Sequence, residues 1–166
     1  MQEPRKIMGG LGNRMFQFAY IYAQARKGII PDVYIQDFEY FKDVKEEVRK
    51  IYQEGIGKRK ELIALHIRRG DYVDNPFYVD LTKTDYYDKA IAEFPGEKFM
   101  VFYRDRQGTG VYKDREWVSE WLTEKGVKFE LADNVNSEVD DLNAMASCKG
   151  MIGANSSFSI WAAFLN

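Results

Sequence analysis

A chain of 166 residues with 24 basic and 26 acidic side chains lacks the basic excess of a nucleic-acid binder, and its 45% apolar content, with 11 Tyr, 11 Phe and 3 Trp, is that of a globular protein with a sizeable core. Cys148 is the single cysteine, which excludes an intrachain disulfide and suits a reducing compartment. No apolar h-region follows the first residues and no run is long enough to cross a bilayer, so the expectation is a cytoplasmic protein that meets a membrane only through a partner.

Strand-like and helix-like segments alternate along the chain. Residues 6–8 read as a short strand running into Gly9-Gly10-Leu11-Gly12. Residues 12–26 read as a helix apolar nearly all round, through Met15, Phe16, Phe18, Ala19, Ile21 and Tyr22, and therefore buried. Residues 33–35 suggest a short strand. Phe38, Phe41, Val44, Val48 and Ile51 fall three or four apart and predict an amphipathic helix over 38–53. Gly55 and Gly57 among charges mark a linker over 54–60. A strand over 62–67 follows, then a helix over 84–93 with Thr84 as its N-cap, and a buried strand over 99–102. Residues 113–125 predict a helix with Trp117, Trp121 and Leu122 on one face, and 127–131 a strand. Residues 137–148 predict a helix capped by Ser137, with Val139, Leu142, Met145 and Ala146 as its apolar stripe. A strand over 149–154 and a helix over 157–165 close the chain. Such alternation implies an α/β fold, a mostly parallel sheet with helices on both faces.

The polar clusters fall after predicted strands. Gly9 to Asn13 follows the first, and His66-Ile67-Arg68-Arg69-Gly70-Asp71 ends the third. Asp105, Asp133-Asn134 and Asn155-Ser156-Ser157 follow later ones. Ligands of open α/β sheets bind outside the carboxyl ends of strands, so this convergence points to one site. If strand geometry persists, Arg68 and Arg69 point to opposite sides. One then reaches a ligand and the other anchors to the protein, with Asp71 a candidate partner; an arginine fork suits phosphate, and a plain surface charge pair is the alternative. Ser156 and Ser157 stand at a helix start, as an anion site or as a simple cap. Gly9-Gly10-Leu11-Gly12 is neither a dinucleotide fingerprint nor a Walker loop, and reads as close backbone approach or a tight turn. His66 is the only histidine, which argues against a His/Cys metal site and a Ser/His/Asp triad; a buried, satisfied histidine is its bland reading. No Asp-x-Asp pair occurs, so a nucleotide-sugar chemistry here would use arginine and helix N-termini instead of a metal.

Together, residues 8–18 (M-G-G-L-G-N-R-M-F-Q-F), 66–73 (H-I-R-R-G-D-Y-V), 141–148 (D-L-N-A-M-A-S-C) and 155–166 (N-S-S-F-S-I-W-A-A-F-L-N) resemble the α-1,2-fucosyltransferase family. The resemblance spans the chain in the right order. It implies a reduced GT-B-like arrangement: a small amino-terminal lobe over 1–58 with the glycine-rich donor loop, and a Rossmann-like GDP-sugar-binding domain over 59–166. It implies inverting, metal-independent transfer of fucose from GDP-fucose to a glycan, a galactoside in α-1,2 linkage, with no cofactor. By the same resemblance Arg68 binds the diphosphate, His66 lies by the guanosine, and Ser156, Ser157 and Phe158 hold phosphate and base. Gly10, Gly12 and Asn13 close over sugar and diphosphate, Asp105 is a retained donor-site acid, and Asp71 orients an arginine or serves as catalytic base.

The sequence also departs from the family pattern. The stretch from Gly12 to His66 is much shorter than in typical members, so most of the acceptor-side lobe is missing. Tyr103-Arg104-Asp105 stands where Ser-Asp-Asp is usual, residues 106–116 look like an inserted loop, and Ile160-Trp161-Ala162 replaces Trp-Trp-Gly. The competing readings are a non-catalytic GDP-sugar-binding module in glycan assembly and a generic α/β hydrolase, the latter without a nucleophile and base. The short lobe predicts self-association to complete the cleft, and the aromatic segment Tyr72 to Tyr78 offers faces for sugar rings or a packed loop.

Overall fold

The structure, a computed structural model, describes residues 9–27, 37–104, 106–107, 110–111, 114–132 and 137–166, with backbone alone at 106–107 and 110–111. The strands expected at 6–8 and 33–35, and Asp105, Asp133 and Asn134, lie outside the described residues.

Four strands form one all-parallel sheet in the order β5-β2-β1-β6: β1 (Lys60–His66), β2 (Lys98–Phe102), β5 (Lys128–Leu131) and β6 (Cys148–Ile152). Helices connect them: α3 (Tyr86–Ala92) after β1, α4 (Asp114–Glu124) after β2, α5 (Glu138–Ser147) after β5 and α6 (Ser157–Leu165) after β6. A two-stranded antiparallel ribbon, β3 (Arg106–Gln107) with β4 (Gly110–Val111), precedes α4. The chain builds outward from β1 to β5 and then returns to place β6 on the other side of β1. The strand order therefore reverses at β1, where an open parallel sheet leaves a crevice at its carboxyl edge.

Period-two alternation along the strands divides the core. Leu62 and Ala64 of β1, with Met100 and Phe102 of β2, face a cluster formed by α1 (Leu11–Arg26), α2 (Lys45–Gln53), α5 and α6. Ile63, Leu65 and Ile67, with Phe99, Val101 and Tyr103, face α3 and α4 through Tyr87, Val118 and Leu122. Trp161 is the hub of the first cluster, surrounded by Phe16, Phe38, Phe41, Tyr52 and Phe164 at centroid distances of 5.1 to 5.8 Å. The amino-terminal helices and the sheet thus share one apolar interior.

Several local expectations change. The helix over 38–53 is broken: a 3-10 segment, Phe38–Val44, begins at the Asp37 cap and α2 follows. Phe41 leaves helical geometry (φ −133°) where its ring lies flat against Trp161, 8° from parallel. Helix α1 is not buried all round; Phe18 and Ile21 are exposed while Met15, Phe16, Ala19 and Ala23 face inward. Ile51 and Val139 are exposed as well. Helix α3 starts at Tyr86 with Asp85 at its cap position, and Thr84 contributes by accepting from the Tyr86 N–H at 3.2 Å. Ser137 does cap α5, in a reciprocal pair with Asp140. Residues 114–116, where the expected helix over 113–125 overlaps the expected inserted loop over 106–116, are the first turn of α4. Among the described residues no helix is long and apolar enough to cross a membrane.

Candidate functional site

The carboxyl edge of the sheet opens into a cleft of about 710 Å³. Of the residues singled out in the sequence, Gly10, Gly12, Asn13, His66, Arg68, Asp71, Ser156, Ser157 and Phe158 all line it. Asp105 lies outside the described residues.

Gly12 explains how two distant segments meet here. A Cβ at this position would stand 2.6 Å from the backbone N of Phe158 and 2.6 Å from the carbonyl carbon of Ser157. Only a glycine lets the start of α1 pack backbone to backbone against the start of α6. The Ser157 hydroxyl donates to Asn13 Oδ1 across the same contact. Gly9, at φ +89°, makes the turn that delivers the chain to this point. Ser156 caps α6 by accepting from the Ser159 N–H at 3.2 Å. Neither α1 nor α6 carries an acidic residue in its first turn, so the partial positive charges of two adjacent helix N-termini stand together.

Arg68 projects into this positive corner. Strand parity puts it on the α6 side with Ala64 and His66, and it pairs with Asp71 at 2.7 Å. Arg69 has the opposite parity and the opposite fate. Its Nε lies 3.4 Å from Oδ1 of buried Asp114, its Nη1 donates to Thr82 Oγ1 at 3.2 Å, and its guanidinium stacks 3.6 Å from the Trp117 ring centroid. Asp114 Oδ2 also accepts from the Gly70 N–H at 3.0 Å, which fixes the turn after β1. Asp71 therefore serves Arg68, and the anchor of Arg69 is Asp114, at the start of the helix expected over 113–125.

His66 is both satisfied and at the cleft. Its Nδ1 lies 2.5 Å from Ser159 Oγ, which itself accepts from the Ala154 N–H at 2.9 Å. Its carbonyl accepts from the Tyr87 hydroxyl at 2.9 Å, and its ring meets Phe158 edge to face. Burial, reinforced by the nearby Arg68 charge, pulls the imidazole pKa down to about 3, so the ring is neutral.

The far side of the cleft carries charges of both signs. Glu138 and Asp141, in the first turn of α5, line it; Glu138 is gripped by Arg104 at 2.9 Å and by Arg14 at 3.7 Å. Glu138 is thus compensated by two arginines, and Asp141 is the second carboxylate that α5 brings to the cleft. Sequence reasoning did not assign Glu138, Asp141, Tyr103 or Arg104 to it, while Asn155, named in the last polar cluster, does line it. The acidic opening of the predicted helix over 137–148 was the available signal for the first two, but an acidic first turn is common in any helix.

The sequence profile of glycosyl transferase family 11 matches residues 5–166. The chain is 32% identical over 124 residues to the O-antigen biosynthesis glycosyltransferase WbnK of Escherichia coli, covering 70% of this chain and 38% of that protein. It is 30% identical over 152 residues to the alpha-1,2-colitosyltransferase of Escherichia coli, covering 78% of this chain and 49% of that protein. The chain thus spans less than half the length of these curated relatives. No solved structure matches it. With the profile matching nearly every residue and the glycine, arginine and serine motifs converging on one cleft, the chain belongs to glycosyl transferase family 11, the α-1,2-fucosyltransferase family.

Proposed function

We propose that the protein transfers fucose from GDP-fucose to a galactoside, forming an α-1,2 linkage with inversion and without a metal. The observation that carries this reading is the placement of Arg68, held by Asp71 and facing the paired N-termini of α1 and α6. That corner suits a diphosphate, whose negative charge grows as the bond to the sugar breaks. The backbone of Gly10, Gly12 and Asn13, with Ser156, Ser157 and Phe158, closes around it. His66, neutral and rigid, shapes the nucleoside end. Guanine presents adjacent N–H donors that a carboxylate matches, and Asp141, which lines the cleft from α5, is the group we assign to them. In the transfer the acceptor hydroxyl oxygen bonds to the anomeric carbon, GDP departs with the bonding pair, and the hydroxyl proton passes to a base. Asp71 orients Arg68 and, as a carboxylate lining the cleft, is the group proposed to take that proton. Asp105 is a further donor-site acid carried by the family resemblance.

Metal independence rests on the absence of an Asp-x-Asp pair from the sequence. Chelator should leave transfer intact; loss with EDTA and recovery with manganese would reverse this part. The name of the colitosyltransferase relative raises a second deoxy-sugar as donor, and the short stretch between Gly12 and His66 favours as second reading a GDP-sugar-binding module without turnover. One experiment separates these. GDP at a hundredfold excess over its dissociation constant should stabilise the fold by about 2.7 kcal/mol. Stabilisation by UDP or ADP but not GDP would overturn the donor. GDP release from GDP-fucose or GDP-colitose with galactosides then distinguishes enzyme from binding module and one sugar from the other.

A further inference from the structure

Beside the donor corner, the segment after the arginine motif forms an aromatic ledge. Tyr72 and Tyr78 stack with centroids 4.4 Å apart and planes 11° from parallel, and both line the cleft. The Arg68 guanidinium lies 5.3 Å from the Tyr72 centroid, so the ledge begins at the charge that faces the diphosphate site. It runs outward: Tyr78 is 48% exposed and Phe77 90% exposed.

The loop is held rather than loose. The Tyr72 hydroxyl donates to Asn155 O at 3.1 Å, and Asn155 Nδ2 donates back to Val79 O at 2.9 Å. Asn75 braces the turn between them, its Nδ2 donating to Asp71 O and its Oδ1 accepting from the Phe77 N–H. These bonds tie the ledge to the residue just before Ser156. Phe77, next in sequence to cleft-lining Tyr78, holds a large apolar ring in water on a braced backbone.

We propose that Tyr78, backed by Tyr72 and extended by Phe77, is the acceptor subsite, binding a galactoside of two or more sugar units by stacking on the C–H face of its rings. Galactose suits it, because its axial hydroxyl gathers C–H bonds onto one face. The outward run of the ledge matches an acceptor that continues into solvent, whereas the donor diphosphate would sit in front of the packed N-termini of α1 and α6. This inference rests on the glycosyl-transfer reading, and the test separates the two.

Lactose binding would be measured by saturation-transfer NMR and calorimetry in the presence of GDP, for the wild type and for Tyr78→Ala, Phe77→Ala and Tyr78→Phe. GDP affinity, measured alongside, reports folding and the donor site. Lactose affinity should fall roughly tenfold in the two alanine variants, the scale of one lost aromatic contact. It should survive in Tyr78→Phe, which keeps the ring, with GDP affinity unchanged throughout. Unaltered lactose binding in both alanine variants, or no lactose binding by a wild type that binds GDP, would overturn the ledge as acceptor subsite and leave the donor reading standing. Lactose binding that depends on Tyr78 in a protein indifferent to GDP would keep the ledge and overturn the donor reading.

Discussion

Two adjacent arginines, Arg68 and Arg69, divide function and stability between them because a strand alternates its side chains. Arg68→Lys keeps the charge but loses the planar fork, so turnover should fall on the order of a hundredfold with the melting temperature unchanged. Normal turnover would remove Arg68 from the mechanism. Asp114→Ala should behave in the opposite way. It leaves Arg69 uncompensated against Trp117 and releases the Gly70 N–H, and breaking such a buried pair costs about 3 kcal/mol. Denaturant unfolding would read that loss directly, while GDP affinity at saturating folded protein should change little. His66 adds a pH dependence. Its pKa is depressed to about 3 from 6.5, so the unfolded chain binds a proton that the folded chain refuses between these values. The stabilisation is therefore complete above the unfolded pKa and is lost as pH falls toward the folded one. Unfolding free energies measured down this range should drop less steeply in His66→Gln than in the wild type; identical slopes would mean that His66 is charged in the native protein.

At the scale of elements, the site depends on two helices starting side by side. Alanine in place of glycine within a helix normally stabilises by about 1 kcal/mol. At Gly12 the new methyl would meet backbone atoms of Ser157 and Phe158, which cannot rotate aside as a side chain does. Overpacking of this kind costs roughly 1–3 kcal/mol, so the net effect of Gly12→Ala should be a lower melting temperature with weaker GDP binding. A stabilised variant that binds GDP normally would show that the helices separate freely. Element types and order were legible in the sequence because hydrophobic period and cap residues are local: the Ser137 cap, the strand around Leu65 and the helix after Ser156 follow from neighbours a few residues away. The break at Phe41 was not legible, because it follows the Trp161 ring from the other end of the chain. Nor was the exposure of Phe18, Ile21 and Val139, since apolarity tells what a face tolerates and not what covers it.

For the whole molecule, the short stretch between Gly12 and His66 supplies α1, the 3-10 segment and α2 as described amino-terminal elements, and Phe18, Ile21, Tyr40 and Ile51 remain exposed there. A small lobe offers few contacts to an acceptor, so the protein should self-associate and bind GDP more tightly than any galactoside. Light scattering and paired titrations check this; a strict monomer that binds a disaccharide tightly would show that the short lobe suffices. The sequence by itself determined the α/β class, the parity that separates Arg68 from Arg69, and the set of motifs that gather at the sheet's carboxyl edge, because each depends on local period or on residue chemistry. Tertiary structure alone decided which acid serves which arginine, that Gly12 lies on the backbone of α6, that Glu138 and Asp141 of α5 line the cleft, and that Tyr78 lines it with Arg68 while Phe77 stands exposed. The Arg69–Asp114 and Gly12–α6 contacts join residues tens of positions apart, and their identity is set by how helices dock on a sheet, which no local pattern encodes.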